Sequence, residues 1–80
     1  MKETYWSHAM TRRLVLSFRE KGKPFTFDEL YQKGPDDLIL YKVVSDLVKV
    51  GLINGPDPLD PCIEGDHGDW TYTANNNTNS

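Results

Sequence analysis

The stretch Leu38–Ile53, LILYKVVSDLVKVGLI, sets the architecture that we expect for the rest of the chain. On a helix of 3.6 residues per turn, one side is apolar, which is the pattern of an amphipathic helix. That side is formed by Leu40, Val43, Val44 and Leu47, with Val48 and Val50 flanking them. The opposite side carries a polar stripe formed by Lys42, Ser45 and Lys49. We therefore predict a helix whose apolar face packs on the core and whose polar stripe faces the solvent.

Both ends of this helix are marked in the sequence. Gly34-Pro35 can start it, because proline at the first helical position loses only an N–H that would have no partner. Asp36-Asp37 would then lie near the positive end of the helix dipole. Gly51 can end the helix in the left-handed conformation, which lets Leu52-Ile53 fold back and begin a strand. The predicted helix spans about 36–50.

A first helix is predicted from about Trp6 to Glu20, with its N-cap near Ser7 or Thr4 and its end at Gly22. Its buried side should be formed by apolar residues that recur every four positions, namely Trp6, Met10, Leu14 and Phe18. Its outer side and the connection that follows are basic, through His8, Arg12, Arg19, Lys21 and Lys23. Such a row suits either a solvated face or an edge that contacts phosphates.

A short strand and a second helix should connect these two helices. Lys23–Thr26 is expected to be extended, because a residue before proline is excluded from the helical region. Thr26–Glu29 fits a capping box, in which threonine and glutamate exchange hydrogen bonds with each other's backbone N–H. The helix should run from about 27 to 33. Its predicted core side chains are Phe27, Leu30 and Tyr31.

After Gly51 the sequence predicts a β-hairpin with a long tip. Prolines 56, 58 and 61 exclude regular structure from the middle of the segment. Asp69–Thr73 alternates aromatic and β-favouring residues, so Trp70 and Tyr72 should share one face. Paired antiparallel with residues 52–53, this strand would complete the hairpin.

Length and composition limit the classes of function. Eighty residues allow one domain, which we place at 1–74, followed by a disordered polar tail at 75–80. A core of this size is small, so self-association as a homodimer would help stability, and an enzyme with a deep pocket is hard to accommodate. With a single cysteine, Cys62, no apolar region typical of a signal peptide and no run of about 20 apolar residues, we expect a cytoplasmic protein without membrane contact.

Charge is distributed unevenly along the chain. Residues 1–33 carry seven Lys/Arg and four Asp/Glu, whereas residues 34–80 carry two and eight, which gives the net charge of −3. An acidic protein has little general affinity for nucleic acid, but a local basic patch can still bind it.

The order helix, short strand, helix, turn, helix and hairpin resembles the winged helix-turn-helix fold, an α+β fold of three helices and a small antiparallel β-hairpin wing. Thr11–Tyr31, TRRLVLSFREKGKPFTFDELY, is similar to the corresponding part of many bacterial winged-helix repressors. Leu40–Ile53, LYKVVSDLVKVGLI, resembles a signature in the DNA-binding half of the ferric-uptake-regulator family. The resemblance implies that residues 36–50 form a DNA-recognition helix, with Tyr41 and Lys42 at groove and backbone contact positions.

The first hypothesis is therefore a small DNA-binding transcription regulator. The stripe of Lys42, Ser45 and Lys49 would enter the major groove, which is about 12 Å wide. Basic residues of the first helix and its connection would contact the phosphates, namely Arg12, Arg19, Lys21 and Lys23.

The alternative is a winged-helix module that recognises a protein, such as a regulator or inhibitor of a larger complex. Asp36-Asp37 stands where the family has Ser, Thr and basic residues, and the tip of the hairpin is acidic instead of basic. The candidate contact residues in that tip are Asp57, Asp60, Glu64, Asp66 and Asp69.

No catalytic, metal or cofactor site is predicted. Cys62 and His67, with Asp66 or Asp69, are ligand types that zinc accepts, but they do not form the four-ligand pattern of a structural zinc site. Nothing in the sequence would orient a histidine next to a nucleophile.

Overall fold

The computed structural model describes residues 5–75, and within them the chain is an α+β fold of three α-helices and one three-stranded antiparallel sheet. The helices and strands, in chain order, are α1 (His8–Glu20), β1 (Phe25–Thr26), α2 (Phe27–Tyr31), α3 (Asp37–Val50), β2 (Ile53–Asn54) and β3 (Thr71–Ala74). A short 3-10 turn at His67–Asp69 precedes β3. The α+β class predicted from the sequence is confirmed.

Strand β3 lies at the centre of the sheet, so the strand order is β1, β3, β2. Phe25 pairs with Tyr72 on one side of β3, and Ile53 pairs with Ala74 on the other. The predicted antiparallel pairing of the last two strands is confirmed, with β1 as an additional neighbour. Asn75 continues the pairing, because its N–H donates to the Leu52 carbonyl at 3.1 Å. Residues 76–80 of the predicted tail lie outside the described residues.

Helix α1 begins at His8, where the Ser7 hydroxyl accepts a hydrogen bond from the Met10 N–H at 3.1 Å. Its fully buried residues are Thr11 and Val15. The prediction that Met10 is buried is wrong, because the helix packs along α3 through the side centred on Thr11 and leaves Met10 40% exposed. The Thr11 hydroxyl is satisfied there, since it donates to the Ser7 carbonyl at 2.9 Å.

The capping box predicted for α2 is confirmed. The Glu29 N–H donates to the Thr26 hydroxyl at 3.2 Å, and the Thr26 N–H donates to the Glu29 carboxylate at 3.5 Å. Phe27 and Leu30 are buried as predicted. The prediction that Tyr31 joins the core is wrong, because α2 has only five residues and its last side chain is 44% exposed.

Helix α3 ends as the sequence indicates. Gly51 adopts the left-handed conformation with φ 87°, and its N–H donates to the Val48 carbonyl at 3.1 Å. The Leu52 N–H donates to the Leu47 carbonyl at 3.0 Å, which completes a Schellman motif. The prediction that Pro35 is the first helical residue is wrong, because Asp36 is the N-cap and the proline is buried one position earlier.

The core lies between the helices and the buried face of the sheet. Trp70 and Tyr72 both face it, as predicted, and the Phe27 and Trp70 rings meet edge to face with centroids 5.3 Å apart. The core side chains are Val15, Phe25, Phe27, Leu30, Leu40, Val43, Val44, Leu47, Ile53, Trp70 and Tyr72. Within residues 5–75, no helix combines the length and apolar character needed to cross a lipid bilayer.

Candidate nucleic-acid interface

The outward face of α3 presents the two lysines that the sequence singled out. Lys42 and Lys49 are both exposed, and they lie two turns apart on the same side of the helix. At a rise of about 1.5 Å per residue, this places them about 10 Å apart along the axis. Their side chains can therefore contact one extended partner at the same time.

Ser45 lies between the two lysines and is buried, so the prediction that it faces the solvent is wrong. Its side chain is only 2% exposed, and its hydroxyl donates a hydrogen bond to the Asp57 carboxylate. Pro58, which follows Asp57 in the chain, is also buried. Residues 55–70, which we call the β2–β3 loop, thus return across the middle of α3 and cover this position.

The start of the β2–β3 loop is fixed by hydrogen bonds to the sheet and to the loop itself. The Tyr72 hydroxyl donates to the Pro56 carbonyl at 2.6 Å, and the Leu59 N–H donates to the Asp57 carboxylate at 3.0 Å. Gly55 passes so close to Tyr72 that a Cβ atom would lie 2.7 Å from the ring carbon Cε2. These contacts direct Asp57 onto α3.

The Asp57 carboxylate is stabilised in its ionised form. Burial acts to raise its pKa, but the hydrogen bonds from Ser45 and from the Leu59 N–H, together with the charge of Lys49, hold the pKa below its ordinary value. Burial, and then the negative charge of Asp57, raise the pKa of the Tyr72 phenol. The centre of the outward face of α3 is therefore closed by a carboxylate of the same chain.

Helix α1 contributes to the same face, because it runs beside α3 in the same direction. Arg12 lies 3.8 Å from the Asp46 carboxylate, and both side chains are about half exposed. A cleft of about 400 Å³ lies between α1, α3 and the β2–β3 loop. Its lining residues are His8, Lys42, Ser45, Asp46, Lys49 and Leu59.

Tyr41 is half-buried at the edge of the core. Its ring lies 5.4 Å from the ring of Phe27 and 6.2 Å from that of Trp70, measured between centroids. Most of its contacts are therefore internal, and only part of the side chain is open to a partner.

Arg19 and Lys21 lie apart from Arg12, Lys42 and Lys49. Arg19 faces the sheet, since its Nε donates to the Leu52 carbonyl at 2.7 Å and its guanidinium reaches the Asn75 carbonyl at 3.4 Å. Two of its donors are therefore directed to backbone carbonyls, and its role as a phosphate contact stays a prediction. Lys21 lies 4.7 Å from the centre of the Phe18 ring and lines a different cleft with Lys33. Lys23 is exposed in the connection to β1.

The acidic residues of the β2–β3 loop are also divided among different places. Asp60 accepts a hydrogen bond from the Cys62 N–H at 2.9 Å, and Asp69 accepts one from the Asp66 N–H at 3.1 Å. Asp66 and Asp69 line a cleft of about 550 Å³ with Asp28. Glu64 is exposed, and its carbonyl accepts the Trp70 indole N–H at 3.0 Å. Several of these carboxylates thus shape the loop.

An apolar region at the start of α3 was missed in the sequence. Leu38 is 68% exposed and Tyr5 is 81% exposed, and they line a cleft of about 330 Å³ together with Asp36 and Lys42. Leu38 precedes Lys42 by four residues, so helical periodicity places both on one stripe. That spacing could have predicted the exposure of Leu38 from the sequence.

Comparisons with protein-family models, with curated proteins and with solved structures found no match. Among the residues whose side chains the structure describes, no group of three or more His, Cys, Asp and Glu is placed to hold a metal ion.

Proposed function

We propose that the protein is a small DNA-binding regulator with a winged helix-turn-helix architecture, in which α3 lies in the major groove. The element order α1-β1-α2-α3-β2-β3 and the short turn between α2 and α3 support this architecture. Because one fold can serve many functions, the proposal depends on the surface of α3.

The observation that carries the proposal is the joint exposure of Lys42 and Lys49 on one side of α3, with Arg12 of α1 beside them. A major groove about 12 Å wide admits a helix, and lysines about 10 Å apart along it can reach phosphates or base edges. Many of the carboxylates lie elsewhere, as Asp28, Asp66 and Asp69 do in their own cleft.

In this proposal Ser45 and Asp57 have a structural role. Their hydrogen bond holds the start of the β2–β3 loop against α3. The contact set is then Arg12, Lys42 and Lys49, with Tyr41 contributing the open part of its ring. A rigid support for the contact residues lowers the entropy lost on binding.

The test is fluorescence anisotropy with a mixed-sequence 20-base-pair duplex at 50 and 200 mM salt. Lys42→Ala and Lys49→Ala should each weaken binding and lower the slope of log affinity against log salt by about 0.9. Lys33→Ala is the matched control, because Lys33 is exposed in a different cleft. Absence of binding at 50 mM salt would rule the proposal out.

A second candidate is recognition of a protein partner, including a second copy of the chain. It is favoured by the exposure of Leu38 and Tyr5 beside Asp36, because exposed apolar side chains grouped at one place often mark protein interfaces. Pull-down of a stoichiometric partner, lost in Leu38→Asp but kept in Val50→Asp, would favour it. Sedimentation equilibrium separates self-association from binding of another protein.

A further inference from the structure

The cleft at the start of α3, which is also lined by Tyr5, Trp6, His8 and Ile39, contains three chemically different side chains within the first two helical turns. Asp36 supplies a carboxylate, Leu38 supplies an exposed apolar group, and Lys42 supplies an ammonium group. A surface that only tracks phosphates needs cations alone. The mixed chemistry here therefore requires a different explanation.

Asp36 is the informative member of this set. It is the exposed N-cap residue of α3, and its side chain makes no capping hydrogen bond, so its carboxylate oxygens can accept hydrogen bonds from a partner. Phosphates would repel it, whereas amino groups on base edges in the major groove would donate to it. Among the bases, cytosine presents the N4 amino group to which Asp and Glu side chains characteristically bind.

Leu38 and Lys42 extend the same argument along the helix. Leu38 is 68% exposed, and the thymine C5-methyl is the apolar group of the major groove. Lys42 lies one turn further along the same stripe, and guanine O6 and N7 are the acceptors that lysine contacts most often. Asp36, Leu38 and Lys42 can thus each contact a different base in the major groove.

We infer that α3 reads base sequence, with Asp36 selecting cytosine, Leu38 contacting a thymine methyl and Lys42 contacting guanine. This inference rests on the proposed DNA-binding function and makes it sequence-specific. The recognised duplex would present a cytosine and a thymine close together to the amino-terminal turn of α3, with a guanine about one helical turn of the protein away.

The experiment begins with selection of bound duplexes from a random 20-base-pair pool by the full chain and by its variants. The full chain should enrich a shared motif that contains these three bases. Asp36→Asn should relax the choice at the cytosine by at least fivefold while raising affinity for the unselected pool, because one negative charge is removed. Asp28→Asn is the matched control, since it removes a negative charge in a different cleft and should leave the selected bases unchanged.

A second measurement replaces thymine with uracil in the selected duplex, which removes only the methyl group. Binding should fall about fourfold for each methyl group that is buried. Leu38→Ala should remove this sensitivity to uracil, and Val50→Ala, which truncates an exposed side chain at the other end of α3, should keep it.

Each outcome distinguishes the two proposals. If the pool is not bound, both the DNA-binding function and this inference fail. If the pool is bound without enrichment, or if Asp36→Asn and Leu38→Ala leave the selected bases and the uracil effect unchanged, the inference fails and the DNA-binding function stands.

Discussion

The two halves of the outward face of α3 differ, although one periodic pattern covers both. In the amino-terminal half, Leu38 and Lys42 project freely beside Tyr5. In the carboxyl-terminal half, Ser45 is covered by Asp57, and Lys49 lies next to the same carboxylate. Helical periodicity therefore identifies the side of α3 that faces away from the core. It does not predict whether another segment of the chain covers that side.

The largest loss of stability is expected from a substitution that displaces the β2–β3 loop from the carboxyl-terminal half of α3. Gly55→Ala would place a Cβ atom 2.7 Å from Tyr72 Cε2 and 2.8 Å from the Thr71 carbonyl oxygen, at a φ of 155°. Overpacking and backbone strain together should cost about 3 kcal/mol of unfolding free energy. Urea unfolding measures this loss. Gly68→Ala is the control, because a Cβ atom there meets nothing within 4 Å; equal losses in the two variants would contradict the packing of Gly55 against Tyr72.

Removing the hydroxyl that holds the loop should have the next largest effect. Ser45→Ala leaves the Asp57 carboxylate without its donor on α3, and loss of a hydrogen bond to a charged group should cost about 2 kcal/mol. Ser17→Ala is the matched control, since the Ser17 hydroxyl is exposed on α1 and donates to the Leu14 carbonyl. If Ser45 were instead a groove contact, the variant would lose DNA affinity and keep its stability.

Acidification should weaken the contact between the Asp57 carboxylate and the carboxyl-terminal half of α3. The pKa of Asp57 is lowered in the folded chain, so its contribution to stability is present above the ordinary value of 3.8 and is lost as the pH falls through the folded-state pKa. Urea unfolding between pH 2.5 and 6 should show a steeper loss below 3.8 in the wild type than in Asp57→Asn, with Ser45→Ala between them. Parallel profiles for all three proteins would contradict the role given to this carboxylate.

The smallest effect on stability is expected at the exposed ion pair of α1 and α3. Arg12 and Asp46 are 3.8 Å apart and about half exposed, so Arg12→Ala should change the unfolding free energy by no more than about 0.5 kcal/mol. The same variant should weaken DNA binding and lower its salt slope, because Arg12 belongs to the proposed contact set. A variant that lost stability and kept its full DNA affinity would reverse this assignment.

Two correctly predicted details of the fold are fixed by neighbours in sequence. The capping box of α2 involves only Thr26–Glu29, and the end of α3 involves only Leu47–Leu52. Hydrogen bonds over three to five residues depend on local residue types, so the sequence carries them directly.

The placements of Ser45 and Arg19 were not predicted, because they depend on contacts between distant segments. Burial of Ser45 depends on a residue twelve positions later, and the turn of Arg19 toward the sheet depends on carbonyls at Leu52 and Asn75. Arg19 has the charge and helical placement of a phosphate contact, and the carbonyls next to β2 and β3 direct it toward the sheet. Exposure of Leu38 was detectable from the sequence, because its spacing of four residues to Lys42 places both on one helical stripe.

The inward position of Arg19 also has a kinetic consequence. Its guanidinium joins the end of α1 to carbonyls 33 and 56 residues away, so both bonds are present only after the ends of β2 and β3 have docked on α1. Interactions of such long range form late in folding, and their loss mainly accelerates unfolding. Replacing this arginine with methionine should therefore shorten the lifetime of the native state and leave the refolding rate nearly unchanged.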